Sequence, residues 1–355
     1  MKKIFIPLLS LWVVSCSTDL ENVTAESFDE TAEETPSTVE KTENSSDEST
    51  NTSPVFKTGV YSINEHSPSD SSVGFISATD DDNDEITYTL ESDADIIINE
   101  STGEIKTGTN LKLDFETTDS YPFTVSAFDG KIIVDQSFNL AINDIDETTI
   151  LSEEQKEIIT YAQHLTFWKG VSNTPLSANQ KWGSPMKMYL NGTISQEYKT
   201  TVESVITQYN TLFTDSSFSI SLVENSEEAN ANLFFGTKEE VETIWPDMYE
   251  EIKDGNYDGF AMTPSENSVL VSTRIWISNP LEVLLKHELG HALGFGHSDK
   301  CEDEFSFLCS QISADNDFLP VEKDIIRFMY SSKITAGLTE NEMEIILADI
   351  ILNEE

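Results

Sequence analysis

The sequence predicts a multidomain chain in which an all-β sandwich is followed by an α+β domain with a mixed sheet and several helices. Three observations predict it. Short runs of period-two alternation fill the stretch from about Pro54 to Asp146. From Thr149 onward, helical spacing and strand-like runs intermix. Between Ser17 and Thr52 there are almost no large apolar side chains with which to build a core. These changes in texture set boundaries at 1–15 for a leader, 16–52 for a tether, 53–148 for the β domain and 149–355 for the α+β domain.

The leader has the build of an export signal. Lys2 and Lys3 precede an apolar run from Ile4 to Val14, too short to span a bilayer. It ends in Val13-Val14-Ser15-Cys16, which resembles the lipobox of bacterial lipoproteins. That resemblance implies acylation of Cys16 and an exported, membrane-anchored lipoprotein of the outer membrane or cell surface. The Ser, Thr, Glu and Asp that follow cannot offset their chain entropy by burial, so the segment reads as a disordered tether with a reach of roughly 35 Å. Cys301 and Cys309, close together in a polar stretch, suit one disulfide in an oxidising compartment.

Charge narrows the partners. With 20 basic and 65 acidic residues the formal net charge is -45. Phosphate binding rests on clustered Lys and Arg, so nucleic acid is excluded as a partner. Such acidity suits solubility, and it also attracts divalent cations such as calcium.

Within the β domain, alternation is clearest in Ile86–Leu90, Phe123–Ala127 and Ile132–Ile142, separated by turn signals at Thr102-Gly103 and Asp129-Gly130. About seven strands are expected, arranged as a sandwich. Four landmarks recur in order: Asn64-Glu65, the run Ala78-Thr79-Asp80-Asp81-Asp82, Leu113-Asp114-Phe115-Glu116 and Ala127-Phe128-Asp129-Gly130. Asn143-Asp144 follows them. Together they resemble a single cadherin repeat. The resemblance implies calcium sites: Glu65, Asp114, Glu116 and Asp144 at the linker end, and Asp80, Asp82 and Asp129 at the opposite end. Cadherin sites are shared between successive repeats and only one repeat is visible, so each shell is expected to be incomplete. The alternative is that these acids are turn residues on a solvated rim.

The α+β domain opens with helical spacing from Ser152 to about His164, then a strand at 185–190 and a helix from Gln196 to Phe213. Strand-like runs follow at Phe218–Val223, Ala231–Phe235, Gly259–Thr263 and Val269–Ser278, and Asp258–Thr263 is the candidate edge strand. Next comes His287-Glu288-Leu289-Gly290-His291-Ala292-Leu293-Gly294-Phe295-Gly296-His297. Asn279 is expected to cap this helix, with Pro280 at its first position and Glu282 three residues past the cap. His287 and His291 then project from one face and can grip one Zn²⁺, while Glu288 sits beside the metal as a base for water. Gly294 lets the chain turn back so that His297 becomes a third ligand, which leaves one coordination position open, as in catalytic zinc sites. Three of the five histidines are thereby engaged; His66 and His164 are assigned no role.

The spacing HExxHxxGxxH resembles the metzincin zinc peptidases, and among them most nearly the matrixins. The resemblance implies a methionine turn beneath the metal, for which Met329 is the candidate, and a further helix after it, for which Thr339 and Glu342 form a capping box. Three features depart from the matrixin pattern: a long segment between His297 and Met329, no set of histidines for a structural zinc site, and no pro-segment cysteine for a cysteine switch. Ser331 stands two residues after Met329, where astacin-like enzymes carry a Tyr ligand.

The sequence thus predicts an exported zinc endopeptidase acting on polypeptide substrates, lipid-anchored to a membrane. The alternative is an adhesive surface lipoprotein in which the cadherin-like domain acts and the metal site is vestigial; a zinc hydrolase with a non-peptide substrate also fits the motif. One consequence is testable on cells. Cys16→Ala should abolish acylation and move the protein from the membrane to the soluble fraction. Equal membrane association of variant and parent would remove the lipoprotein assignment.

Overall fold

The computed structural model describes residues 51–168, 175–214, 217–302 and 304–354. The leader, Cys16 and the tether up to Thr50 lie outside the described residues. No helix among the described residues is long and apolar enough to cross a membrane.

The β domain is built from nine strands. They are β1 (Val55–Phe56), β2 (Tyr61–Asn64), β3 (Ser72–Phe75), β4 (Ala78–Thr79), β5 (Thr87–Glu91), β6 (Ile96–Ile98), β7 (Glu104–Thr107), β8 (Ser120–Phe128) and β9 (Ile133–Asn143). One sheet runs β2-β9-β8-β5, a second β3-β7-β6, and β1 pairs with β4. The two extra strands relative to the sequence expectation are the two-residue pieces β1 and β4, too short to show periodicity. Alternation places Tyr61 and Ile63, Phe123, Val125 and Ala127, and Leu140 and Ile142 on the inner faces. They close on Ile76, Ile96 and Ile105, while an aromatic group of Tyr61, Phe123 and Phe138 packs with ring centroids 5.6–6.1 Å apart.

After a 3₁₀ turn at Glu147–Thr149, the second domain begins with α1 (Glu153–Phe167), capped by Ser152 and Gln155 in a reciprocal capping box. Its further elements are β10 (Lys181–Trp182), β11 (Met186–Asn191), α2 (Gln196–Asn210), β12 (Ile220–Val223), β13 (Ala231–Phe235), α3 (Lys238–Ile244) and α4 (Pro246–Ile252). Then come β14 (Gly259–Met262), β15 (Ser265–Glu266), β16 (Val269–Leu270), β17 (Thr273–Ile277), α5 (Glu282–Ala292), α6 (Pro320–Met329) and α7 (Glu340–Glu354). The main sheet runs β12-β11-β13-β17-β14, parallel except for β14, which joins β17 antiparallel and forms an edge.

Both faces of this sheet are covered. On one, α1, α2, α5, α6 and α7 enclose a core containing Met186, Met188, Leu233, Ile275, Leu289 and Met343. On the other, α3 and α4 bring Val241, Trp245, Met248 and Ile252 against Phe234 and Trp276. Covered on both faces, the sheet is a rigid frame, and α5 crosses it close to the free edge.

Two sequence expectations are corrected here. The run Val269–Ser278 is not one strand: β16 pairs with β10 and β15 in a small separate sheet, and only β17 enters the main one. The metal helix starts at Glu282 rather than Pro280, with Leu281 as its extended first flank and no side-chain cap. Glu282 is drawn away from the expected box, because its carboxylate accepts from Gln208 Nε2 at 2.9 Å and pairs with Lys286 at 3.1 Å.

Glu322 ties α6 to the rest of the helical layer. Fully buried, it accepts from the Tyr161 hydroxyl of α1 at 2.7 Å, from the Ser306 hydroxyl, and from the Leu319 backbone N–H at 2.9 Å. Burial holds its carboxyl above the usual carboxylate range, partly opposed by those donors. Glu322→Ala leaves three donors without an acceptor and should cost about 3 kcal/mol. Glu322→Gln keeps one acceptor oxygen but turns its NH2 toward another of the donors, so it should cost less than Glu322→Ala, about 1–2 kcal/mol. Urea unfolding of the two variants checks this order.

Candidate metal centre

His287 and His291 are one turn apart on α5, so their rings leave the same face of the helix. Each ring is oriented by a backbone carbonyl: His287 Nδ1 bonds Phe307 O and His291 Nδ1 bonds Phe295 O, both at 2.8 Å. A carbonyl only accepts, so both Nδ1 atoms carry the proton, and the Nε2 lone pairs face each other 3.0 Å apart. Burial pushes the His287 pKa down to about 4, with the neighbouring His297 acting in the same direction. His297 is likewise lowered by burial. Three imidazoles thus converge on one point, with ligand atoms within 4.8 Å of one another. Two nitrogens on a tetrahedral zinc stand about 3.3 Å apart, given Zn–N bonds near 2.0–2.1 Å. The donor set fits that ion.

The chain reaches His297 by a turn that only glycine permits easily. Gly294 has φ +101°, and a Cβ there would lie 2.8 Å from the Gln180 carbonyl. The helix end is fixed beneath it, since Trp182 Nε1 donates to Ala292 O and the Tyr330 hydroxyl to Leu293 O. Beyond His297 the chain folds back over α5. Ser298 N–H donates to Leu308 O, and Cys301 is joined to Cys309 by a disulfide with Cα atoms 5.7 Å apart. Phe307 and Leu308 then pack so closely on Gly290 that a Cβ would meet each at 2.8 Å. The long segment noted in the sequence is thus what brings the Phe307 carbonyl onto His287. Met329 ends α6, buried in the same core as Leu289 and Ala292.

Glu288 points from α5 toward the edge strand. It is only 4 % exposed, and burial raises its pKa to about 8, opposed by the Ala261 N–H of β14. A cation beside it would draw that value down. Gly259 of the same strand makes the room: a Cβ there would stand 2.7 Å from Glu288 Oε1. The expected edge strand therefore lies against the candidate base.

At the junction of the domains, oxygens of Glu65, Glu116 and Asp144 gather within 4.8 Å of one another. Glu65 is held by the N–H groups of Phe115 and Ile145. Asp114 gathers with Glu116 and Asp349 of α7 in a second such group, where Lys333 pairs with Asp349 and lies 4.0 Å from Asp114. Buried Glu147 has Oε1 without a hydrogen-bond partner, 3.7 Å from His66 Nε2. Burial and the neighbouring carboxylates raise the Glu116 and Glu147 pKa values. At the far end of the sandwich, Asp80, Asp82 and Asp129 do not converge among the described residues. Asp129 accepts from the backbone of Lys131 and Ile132, Asp82 from Thr52, and Asp80 from the Asp82 N–H.

Sequence reasoning missed Asp349, Glu147 and His66 at the junction. It also gave no role to His164, whose Nε2 bonds His297 O at 3.1 Å. Nothing in the local pattern of these residues marks them, because each gains its neighbours only through packing of distant segments.

Comparison with known proteins bears on the sandwich. Residues 60–143 match the family model for the cadherin domain. No curated protein matches the chain. Among solved structures, the chain is similar to the EC1-2 segment of human protocadherin-24, with 26% identity, 26% of this chain and 46% of that one covered, and a TM-score of 0.25. It is similar to protocadherin gamma B2 extracellular cadherin domains 3-6, at 34% identity over 26% of this chain and 23% of that one, TM-score 0.23. It also resembles Drosophila N-cadherin EC1-3, at 22% identity over 26% and 35%, TM-score 0.24. In each case the chain spans less than half of the matched structure. Cadherin domains are extracellular modules, in keeping with an exported chain. Residues 60–143, which carry Glu65, Glu116 and strands β2 to β9, thus form a cadherin-like domain.

Proposed function

We propose that the α+β domain is a zinc-dependent endopeptidase of the metzincin type, exported and held at a membrane through lipid on Cys16. The observation that carries this reading is the convergence of three imidazoles beside a buried carboxylate that abuts the edge strand of the sheet. Zinc held by His287, His291 and His297 would supply Lewis-acid polarisation of the scissile carbonyl. Glu288 takes a proton from the attacking water and delivers it to the departing amine. The unpaired edge of β14 offers backbone groups to an extended polypeptide, aligning the bond to be cut with Glu288.

Glu288→Ala should leave zinc content unchanged and lower hydrolysis of a denatured protein by roughly 10²–10⁴-fold. His291→Ala should lose zinc. Near-parental turnover of the Glu288 variant would refute the assigned chemistry. Parental activity that survives a chelator would refute the metal's part in it.

A second reading, adhesion by the cadherin domain, is favoured by the family match over residues 60–143. An intact Glu288 argues against a vestigial site, and a chelator-sensitive protease assay on the parent separates the two readings.

We propose in addition that Glu65, Glu116 and Asp144 take a calcium ion. Hard carboxylate oxygens suit it, but three are fewer than the 6–8 ligands calcium takes. Lys333, a cation of the chain itself, already faces the remaining acids Asp114 and Asp349 there. Affinity on the order of 10⁻⁴–10⁻³ M is therefore expected, as in extracellular modules. At 10 mM calcium, mass action then stabilises the chain by about 1.4–2.7 kcal/mol. Melting of the full chain in calcium against equal magnesium reads this directly, and Asp144→Asn should remove the difference. No calcium-specific shift in the parent would reduce the cluster to a solvated rim.

A further inference from the structure

His297 is unlike the other two histidines of the centre, because no helix carries it. It follows the glycine turn at Gly294, and the residues around it are pinned by other segments. Gly296 N–H donates to Leu165 O at 2.6 Å, and Ser298 N–H to Leu308 O at 3.0 Å. The Ser298 hydroxyl bonds the Tyr161 hydroxyl at 2.7 Å, and Tyr161 is anchored in turn on buried Glu322. Between these two anchors lies the peptide of His297 itself. Its carbonyl bonds His164 Nε2 at 3.1 Å. Tyr161, His164 and Leu165 all belong to α1, so one helix face holds three successive residues of the ligand loop.

Of these contacts, the one to His164 is the only one made to residue 297 by a side chain that can be exchanged. Leu165 acts through its backbone, and Tyr161 shares its hydroxyl with the core network of Glu322. The His297 carbonyl has no proton, so His164 Nε2 must donate. The other ring nitrogen lies 3.8 Å from Asp299 Oδ2, beyond hydrogen-bond reach. The ring is about one-third exposed at the side chain, so removing it does not open a cavity in the core.

We infer that His164 is a positioning residue for the third metal ligand: its N–H fixes the His297 peptide plane and, through it, the direction of the His297 imidazole. The inference rests on the reading of the three histidines as a zinc site. It assigns to α1, which follows directly from the interdomain turn at Glu147–Thr149, a part in metal retention that the HExxH helix cannot supply alone. A ligand on a loop loses more by freedom of its backbone than a ligand on a helix does. Deleting the donor should therefore weaken metal binding without touching His287 or His291. Partners of this kind are typically worth 10–100-fold in metal affinity, and a bond to the ligand's backbone rather than its ring belongs at the lower end.

The test is the zinc dissociation constant of the full chain, measured by competition with a chromophoric chelator, for the parent, His164→Ala and His164→Gln. His164→Ala should bind zinc about 10-fold more weakly. His164→Gln, whose amide nitrogen reaches a similar point, should recover most of that loss. With cobalt in place of zinc, His164→Ala should weaken the visible absorption of a four-coordinate ion, and His164→Gln should restore it. Thermal melting of the metal-free proteins accompanies both, and equal midpoints are expected, since the ring fills no core space. Equal affinities for all three proteins would overturn the inference, as would equal weakening in both variants, which would mark a packing role. A parent that binds no zinc would instead overturn the proposed function.

Discussion

Two backbone carbonyls govern the candidate metal centre. Phe307 O and Phe295 O each take the Nδ1 proton of a helix histidine, and this turns two lone pairs toward each other at 3.0 Å. Such an arrangement suits a cation held by both nitrogens. Everything around the centre serves those two carbonyls. The Phe295 carbonyl is placed by the glycine turn at Gly294. The Phe307 carbonyl is placed by the loop closed by Cys301 and Cys309, which seats Phe307 and Leu308 on Gly290.

The two-faced sheet gives this arrangement its rigidity. Helix α5 packs on β14 and β17, and Trp182 and Tyr330 clamp its C-terminal carbonyls from opposite ends of the domain sequence. Close packing transmits small displacements. A methyl group at Gly259 would push on Glu288, and one at Gly290 would push on the loop that orients His287. The smallest residues thus sit where the tolerances of the centre are tightest.

Much of this was legible in the sequence, for definite reasons. The period of α1, the α7 capping box of Thr339 and Glu342, and the alternation in β8 and β9 are local signals, and they appear where expected. The spacing of His287, Glu288, His291 and His297 is local as well. Helices α3 and α4 escaped notice because they are short and their apolar residues serve the back of the sheet, not the main core. The start of α5 was misplaced because Glu282 is claimed by Gln208, a partner far along the chain. His164, Glu147 and Asp349 stayed hidden for the same reason: their meaning lies in contacts across long separations, and no periodicity records those. The carboxylates Asp80, Asp82 and Asp129 show the converse. Acids suited to a cation are equally suited to accepting backbone N–H groups, and each of these accepts at least one.

The last helix also sets a timetable. Helix α7 packs on α1 and on the 3₁₀ turn between the domains, and Lys333 and Asp349 meet Asp114 of the sandwich. During synthesis the sandwich, whose strands pair mostly with near neighbours, can close soon after it emerges. The second domain cannot, because α1 is among its first segments made and its packing partner α7 is the last. The core that holds α1 is therefore finished only once α7 has been made. A growing polypeptide would thus carry the helix of His287 and His291 for some time before the α1 contacts around His297 are settled, so the three histidines come together late.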